Sequence, residues 1–205
     1  MPHIFRESDL VGGDVVLDLV NTVNARDGDA TEWLDSFARV LEWAALTGHF
    51  DEYLLVQLER MDKADPRAGK LALRRLRELR ESIHDVLSAT IQNDPAPANA
   101  LRGLESRWKA AVAHARLTIA DHHTSLTLGL ETSRLDYLNH DLALCAVDLL
   151  RTFPPDRTRI CAGARCGWLF IDRSRAGRRR WCDMATCGNA AKSKRYYERE
   201  RSLRR

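Results

Sequence analysis

The chain has 205 residues, with 32 Lys+Arg, 29 Asp+Glu and 5 Cys, and a formal net charge of +3. That length allows one sizeable domain and a small appendage. No apolar run approaches the ~18 residues of a membrane span, and the opening Met1-Pro2-His3-Ile4-Phe5-Arg6 lacks the layout of a secretory signal. A cytoplasmic protein with no membrane partner is expected.

In chain order, Val11-Gly12-Gly13-Asp14 reads as a turn before an apolar stretch over 15–22, too short to assign to helix or strand. Thr31 is a candidate N-cap for a helix carrying Trp33, Leu34, Phe37, Leu41 and Ala45, with Gly48 as its stop. A second helical segment covers about 53–61. Asp65-Pro66 then supplies N-cap and first turn of a long helix, whose Leu76, Leu79, Ile83, Val86, Leu87 and Ile91 recur at three and four. Arg74, Arg75, Arg77, Glu78 and Arg80 fall largely elsewhere, and the arginines are expected on a solvated face, with a second binding patch as the alternative. Asp94-Pro95-Ala96-Pro97 breaks this helix, and another runs through Trp108.

The period then changes from helix to strand. Residues 116–119 and 125–128 read as a β-hairpin, with His122-His123 as surface residues of its turn. Helical spacing returns over 135–150, where Cys145 stands alone in an apolar pattern, and Phe153-Pro154-Pro155-Asp156 forms a linker.

Beyond the linker the cysteines stand as Cys161-x4-Cys166, fifteen residues, then Cys182-x4-Cys187. Two close pairs separated by a hairpin's length can present four thiolates to one tetrahedral Zn2+, so one structural zinc is expected. Disulfides do not suit a reducing compartment, and a redox pair usually has two intervening residues. Catalytic zinc usually recruits histidine, and all seven histidines precede residue 141. Gly163 suits a first knuckle, 167–172 a strand, 173–177 a turn and 178–181 a return strand. Cys182 and Cys187 then open the last helix, and Trp168, Phe170 and Trp181 make a small core. The expected fold is a mainly α N-terminal domain with a small β-hairpin (α+β) over 1–152, followed by a treble-clef-like four-cysteine finger over 157–205.

Charge is distributed unevenly. From Arg151 onward there are 16 basic and 5 acidic residues, a balance of +11; the first 150 hold 16 and 24, a balance of −8. A basic module for a polyanion fits this polarity, as does a clasp in which the acidic body holds the basic tail. Arg173, Arg175, Arg178, Arg179 and Arg180 crowd the expected hairpin, and Lys192, Arg195, Tyr196 and Arg199 share one face of the last helix. Glu198 and Glu200 can pair with Lys194 and Arg204 away from that face. Such a stripe suits the major groove of double-stranded DNA, with the hairpin arginines on phosphates. No multi-aromatic platform for RNA bases is present. The alternatives are a zinc-stabilised protein–protein contact module and a solvated tail without a ligand. An enzyme is not expected, since the chain has no Gly-rich phosphate loop, HExxH pattern or nucleophile motif. Asp18 and Asn21 read as caps of local backbone, with an effector pocket as the alternative.

The run Cys161-x4-Cys166-Gly-Trp-Leu-Phe-Ile-Asp-Arg-Ser, followed by Arg-Arg-Trp181-Cys182-Asp-Met-Ala-Thr-Cys187-Gly188-Asn189, resembles the CGNR zinc finger of bacterial proteins. The stretch Gly13-Asp-Val-Val-Leu17-Asp18-Leu-Val-Asn21-Thr22 resembles the opening of the ABATE domain that precedes this finger. The resemblance implies a stress-induced transcriptional regulator; in the reading adopted from all these features, the helical N-terminal domain is expected to sense a signal or form a homo-oligomer. The motif's final arginine is replaced by Ala190, so either a neighbour such as Lys192 takes over its task or that task is not done.

Overall fold

The computed structural model describes residues 3–26, 28–120 and 123–203. Asp121 and His122 of the expected hairpin turn lie outside them, as does Arg204, whereas His123 and Thr124, expected in that turn, belong to a strand paired with Ala120 and Ile119. In chain order the first elements are helix α1 (Val15–Val20), strands β1 (Val23–Asn24) and β2 (Thr31–Glu32), and helices α2 (Phe37–Thr47), α3 (Glu52–Ala64), α4 (Pro66–Gln92) and α5 (Ala98–His114). Strands β3 (Ala115–Ala120) and β4 (His123–Leu128) follow, then α6 (Leu130–Ser133), α7 (Tyr137–Thr152), β5 (Thr158–Ile160), β6 (Leu169–Ile171) and α8 (Asn189–Leu203). The described residues are thus mostly helical and form three two-stranded antiparallel sheets. No helix among the described residues is long and apolar enough to cross a membrane.

Local chemistry explains most helix ends. The side chains of Asp14, Ser36, Asp51 and Asp65 accept backbone N–H groups at the starts of α1 to α4, and Pro66 needs no N–H where it stands. Gly48 and Asn93, both left-handed, end α2 and α4. The expected start of α2 at Thr31 is corrected: Thr31 pairs with Asn24 in the β1–β2 ladder, and the true cap is Ser36. Ala45 is exposed, and the helix buries Val40, Trp43 and Ala44 beside Phe37 and Leu41.

The contacts divide the chain into two compact units, one of residues 1–7 and 34–153, the other of 8–33 and 154–205. In the first, α4, α5 and α7 pack together, and α2 and α3 lie against α4. Leu58, Leu76, Leu79, Ile83, Leu87, Leu138 and Leu142 fill its centre. The arginines of α4 are not simply a solvated face. Arg80 is only 3% exposed and bonds Glu81, Arg75 pairs with Asp136, and Arg77 donates to the Leu34 carbonyl. Their long side chains bury apolar stems while satisfying polar groups of neighbouring segments; Arg74 alone of the four stays open to solvent, 3.7 Å from Glu78.

In the second unit Ser8–Trp33 groups with the cysteine segment, whereas a sequence division at 152–157 sets it apart. Val16, Leu17, Leu19 and Val20 of α1 are completely buried, each such side chain contributing about 1.5–3 kcal/mol. A six-residue helix cannot hold itself together alone; α1 does so by packing on β6. Trp168 meets Trp33 edge to face at 5.4 Å and donates its indole N–H to the Val23 carbonyl at 2.7 Å. By composition this unit holds 16 basic and 11 acidic residues, a balance of +5, against 16 and 18 in the other. The acidic segment around α1 therefore offsets much of the finger's charge.

Candidate metal centre

Strand β5 leads into Cys161, and β6 leaves from just beyond Cys166. The two pair in the register Thr158–Ile171, Arg159–Phe170 and Ile160–Leu169, and Cys161 N–H closes the ladder onto the Trp168 carbonyl at 2.8 Å. The first cysteine pair thus sits in the turn of a hairpin. This corrects the expected pairing of 167–172 with 178–181. Instead, Arg179 N–H donates to Asp172 Oδ2 at 2.7 Å, and Ala162 N–H to the Arg180 carbonyl at 2.9 Å. Asp172, almost wholly buried, is held down to about pKa 2 by hydrogen bonds from the Ser174 side chain and the Arg179 amide.

The second pair arrives through a wide helical turn, Met184–Gly188, whose N-cap is Asp183, accepting Thr186 N–H at 2.8 Å. Cys182 precedes this turn, Cys187 lies within it, and α8 follows at once. Gly167 takes a left-handed conformation, φ 68°, on leaving Cys166. Gly163 has another role: a Cβ there would stand 3.0 Å from Cys187 Sγ and 3.1 Å from Cys166 Cβ. It is needed for space between the sulfurs rather than for an unusual backbone.

The four Sγ atoms of Cys161, Cys166, Cys182 and Cys187 all lie within 4.8 Å of one another. Cys166 and Cys187 each stand 3.7 Å from Cys182. Bonds of ~2.3 Å to a tetrahedral zinc imply sulfur separations of about 3.8 Å, whereas a disulfide needs ~2.05 Å. Amide groups of Gly163 and Cys182 point at Cys161 Sγ, at 3.4 and 3.3 Å, and suit a thiolate. Thiol donors from Cys166 and then Cys182 hold Cys161 well below the usual thiol range. The same bonds push Cys166 and Cys182 up, and burial pushes Cys187 up. Four thiolates this close require a cation, so donor set and spacing fit zinc.

The N-terminal segment completes the surroundings. Asn21, 1% exposed, bonds both backbone groups of Leu169, Nδ2 to its carbonyl and Oδ1 from its N–H, each at 2.9 Å. Arg26 N–H donates to the Cys166 carbonyl at 3.3 Å. Asp18 accepts Gly12 N–H at 2.8 Å, and burial pushes its carboxyl up to about 6. Asp18 is thus a local cap as expected, while Asn21 caps backbone 148 residues away. The signal for it was a lone amide among completely buried apolar residues.

The sequence segment 157–200 matches the CGNR zinc finger model, and residues 13–152 match the ABATE model, described as "Putative stress-induced transcription regulator". The chain belongs to the ABATE family. No curated protein matches its sequence.

In this ABATE protein the basic candidates fall into distinct settings. Arg173 donates to the Gly13 carbonyl at 2.5 Å, and Arg179 donates to the Trp181 carbonyl at 2.8 Å while lying 4.6 Å over the Phe170 ring. Arg175 and Arg178 are exposed, and exposed Arg180 lies 5.2 Å over Trp181. Helix α8 carries Lys192, Arg195, Tyr196 and Arg199 exposed, and Lys194 pairs with Glu198 at 3.9 Å. A groove of about 660 Å³ runs between knuckle and helix, bordered by Arg165, Arg180, Lys194, Arg195 and Ala190.

Proposed function

We propose that this regulator binds double-stranded DNA through its finger, with one structural Zn2+ per chain held by Cys161, Cys166, Cys182 and Cys187. Bound there, the metal supplies four bonds that tie the knuckle to the start of α8, contributing ~10–16 kcal/mol in comparable fingers. The chain's own residues do the rest. The β5–β6 hairpin aims the first pair, the Asp183 cap aims the second, and Ser8–Trp33 backs the hairpin.

The observation that carries the DNA reading is that α8 buries none of its described side chains yet displays Lys192, Arg195 and Arg199 along one face. A helix without a core to serve fits a major groove. Arg175, Arg178 and Arg180 beside it suit phosphates, whereas Arg173 and Arg179 first serve the fold and offer only their remaining donors. Ala190 leaves open the groove between Arg180, Lys194 and Arg195, so these side chains, rather than Lys192, supply charge where the motif's arginine would stand. The test is retention of a random-sequence duplex by the full chain at low salt, with Cys182→Ser beside it. Binding lost in the variant supports the reading. No binding by the zinc-loaded wild type transfers the finger to protein contact.

A further inference from the structure

Away from the finger, the fifth cysteine is not alone. Tyr137, Asp141 and Cys145 recur at four-residue spacing along one face of α7. Facing them is His49, in the short link between Gly48, which ends α2, and Asp51, which caps α3. Its N–H meets Thr47 Oγ1 at 3.3 Å, and the Phe50 ring stands edge-on at 4.7 Å. This link holds His49 Nε2 at 2.8 Å from Asp141 Oδ2, with Cys145 Sγ 3.8 Å from the nitrogen and 3.7 Å from the oxygen.

We propose that His49, Asp141 and Cys145 form a second metal site, for a zinc-class divalent cation with one position open to water or a small ligand. Imidazole, carboxylate and thiolate together are a donor set of borderline softness, which suits zinc over magnesium or calcium. Metal bonds of ~2.0–2.3 Å imply donor separations of about 3.3–3.8 Å in a tetrahedron. Both sulfur separations already match, and the His49–Asp141 contact must open by only about half an ångström. An ion pair between these two would tie the link to α7, but it does not call for a sulfur close to both atoms. Side-chain exposures of 35% for His49 and 25% for Asp141 leave a path for the ion. A pocket of about 420 Å³ bordered by His49, Tyr137, Asp141 and Leu130 gives room for the fourth ligand.

The test uses the full chain, titrated with Zn2+ and counted by elemental analysis after removal of unbound metal. The wild type should hold one equivalent more than either His49→Gln or Cys145→Ser, and a chelator should remove that equivalent before the finger's. Unchanged far-UV spectra verify folding; His49→Gln decides if Cys145→Ser does not fold. The count is a difference, so it reads independently of whether the finger is loaded. Equal stoichiometry in wild type and folded variant overturns the proposal.

Discussion

Asn21 and Leu169 exchange two hydrogen bonds of 2.9 Å, the side-chain amide of one standing in for a neighbouring strand beside the other. Strand β6 is bonded on one side to β5, and on the other Ile171 N–H donates to the Gly12 carbonyl at 2.8 Å, so without Asn21 the buried backbone groups of Leu169 would stand bare. The amide removes that cost, and in doing so ties the opening of the chain to the hairpin that carries Cys161 and Cys166.

Replacing Asn21 by Leu should therefore leave a buried N–H and C=O without partners, at about 1–3 kcal/mol each. Chemical denaturation should show the finger unit weakened by about that sum, and chelators should strip zinc faster. A variant as stable as wild type would mean the pair is incidental.

Cys182→Ser should abolish the finger's own equivalent of zinc and loosen the whole second unit while most of the helical far-UV signal remains, since α2 to α7 belong to the other unit. Limited proteolysis supplies the sharper readout. New cuts should appear within 8–33 as well as beyond 154; cuts confined to the finger would contradict the shared core of Trp33 and Trp168.

Gly163→Ala tests the packing of the sulfurs. The added methyl meets Cys187 Sγ at 3.0 Å, and overpacking of this kind costs about 1–3 kcal/mol. Competition against a chelator should show zinc held roughly ten- to hundredfold more weakly. Unchanged affinity would show that the knuckle yields freely.

Asp18 sets a pH dependence. Its carboxyl is raised from 3.8 to about 6 in the folded chain, so the native state binds the extra proton between those values. Stability contributed by this group is greatest below about pH 4, falls as pH rises to 6, and stays low above. Asp18→Asn, which keeps an acceptor for Gly12, should remove that slope and be more stable than wild type at pH 7.5 by roughly 1–3 kcal/mol. Parallel curves for the two proteins from pH 5 to 7 would exclude the assignment.

What could be read in the sequence was chemistry that acts over a few residues. Asp65-Pro66 announced α4 because cap and proline act within one turn, and the cysteine spacing announced the cluster because ligands of one metal recur in pairs. Non-local choices were hidden. Ser36 rather than Thr31 caps α2 because Thr31 is taken by Asn24. Residues 178–181 do not form a strand because Asp172 accepts the Arg179 amide, while the three residues of β5 are too few to advertise themselves. Arg77 and Arg80 looked solvated because charge predicts exposure, yet their partners come from tertiary packing.

The salt dependence of duplex binding tests the central claim most directly. If α8 meets phosphates, the logarithm of affinity should fall linearly with that of salt, at a slope near −0.9 per phosphate contact. The triple change Lys192→Ala, Arg195→Ala and Arg199→Ala should flatten the slope by about two to three units with zinc retained, and Arg74→Ala should leave it unchanged. An identical slope in wild type and zinc-loaded triple variant would contradict the account.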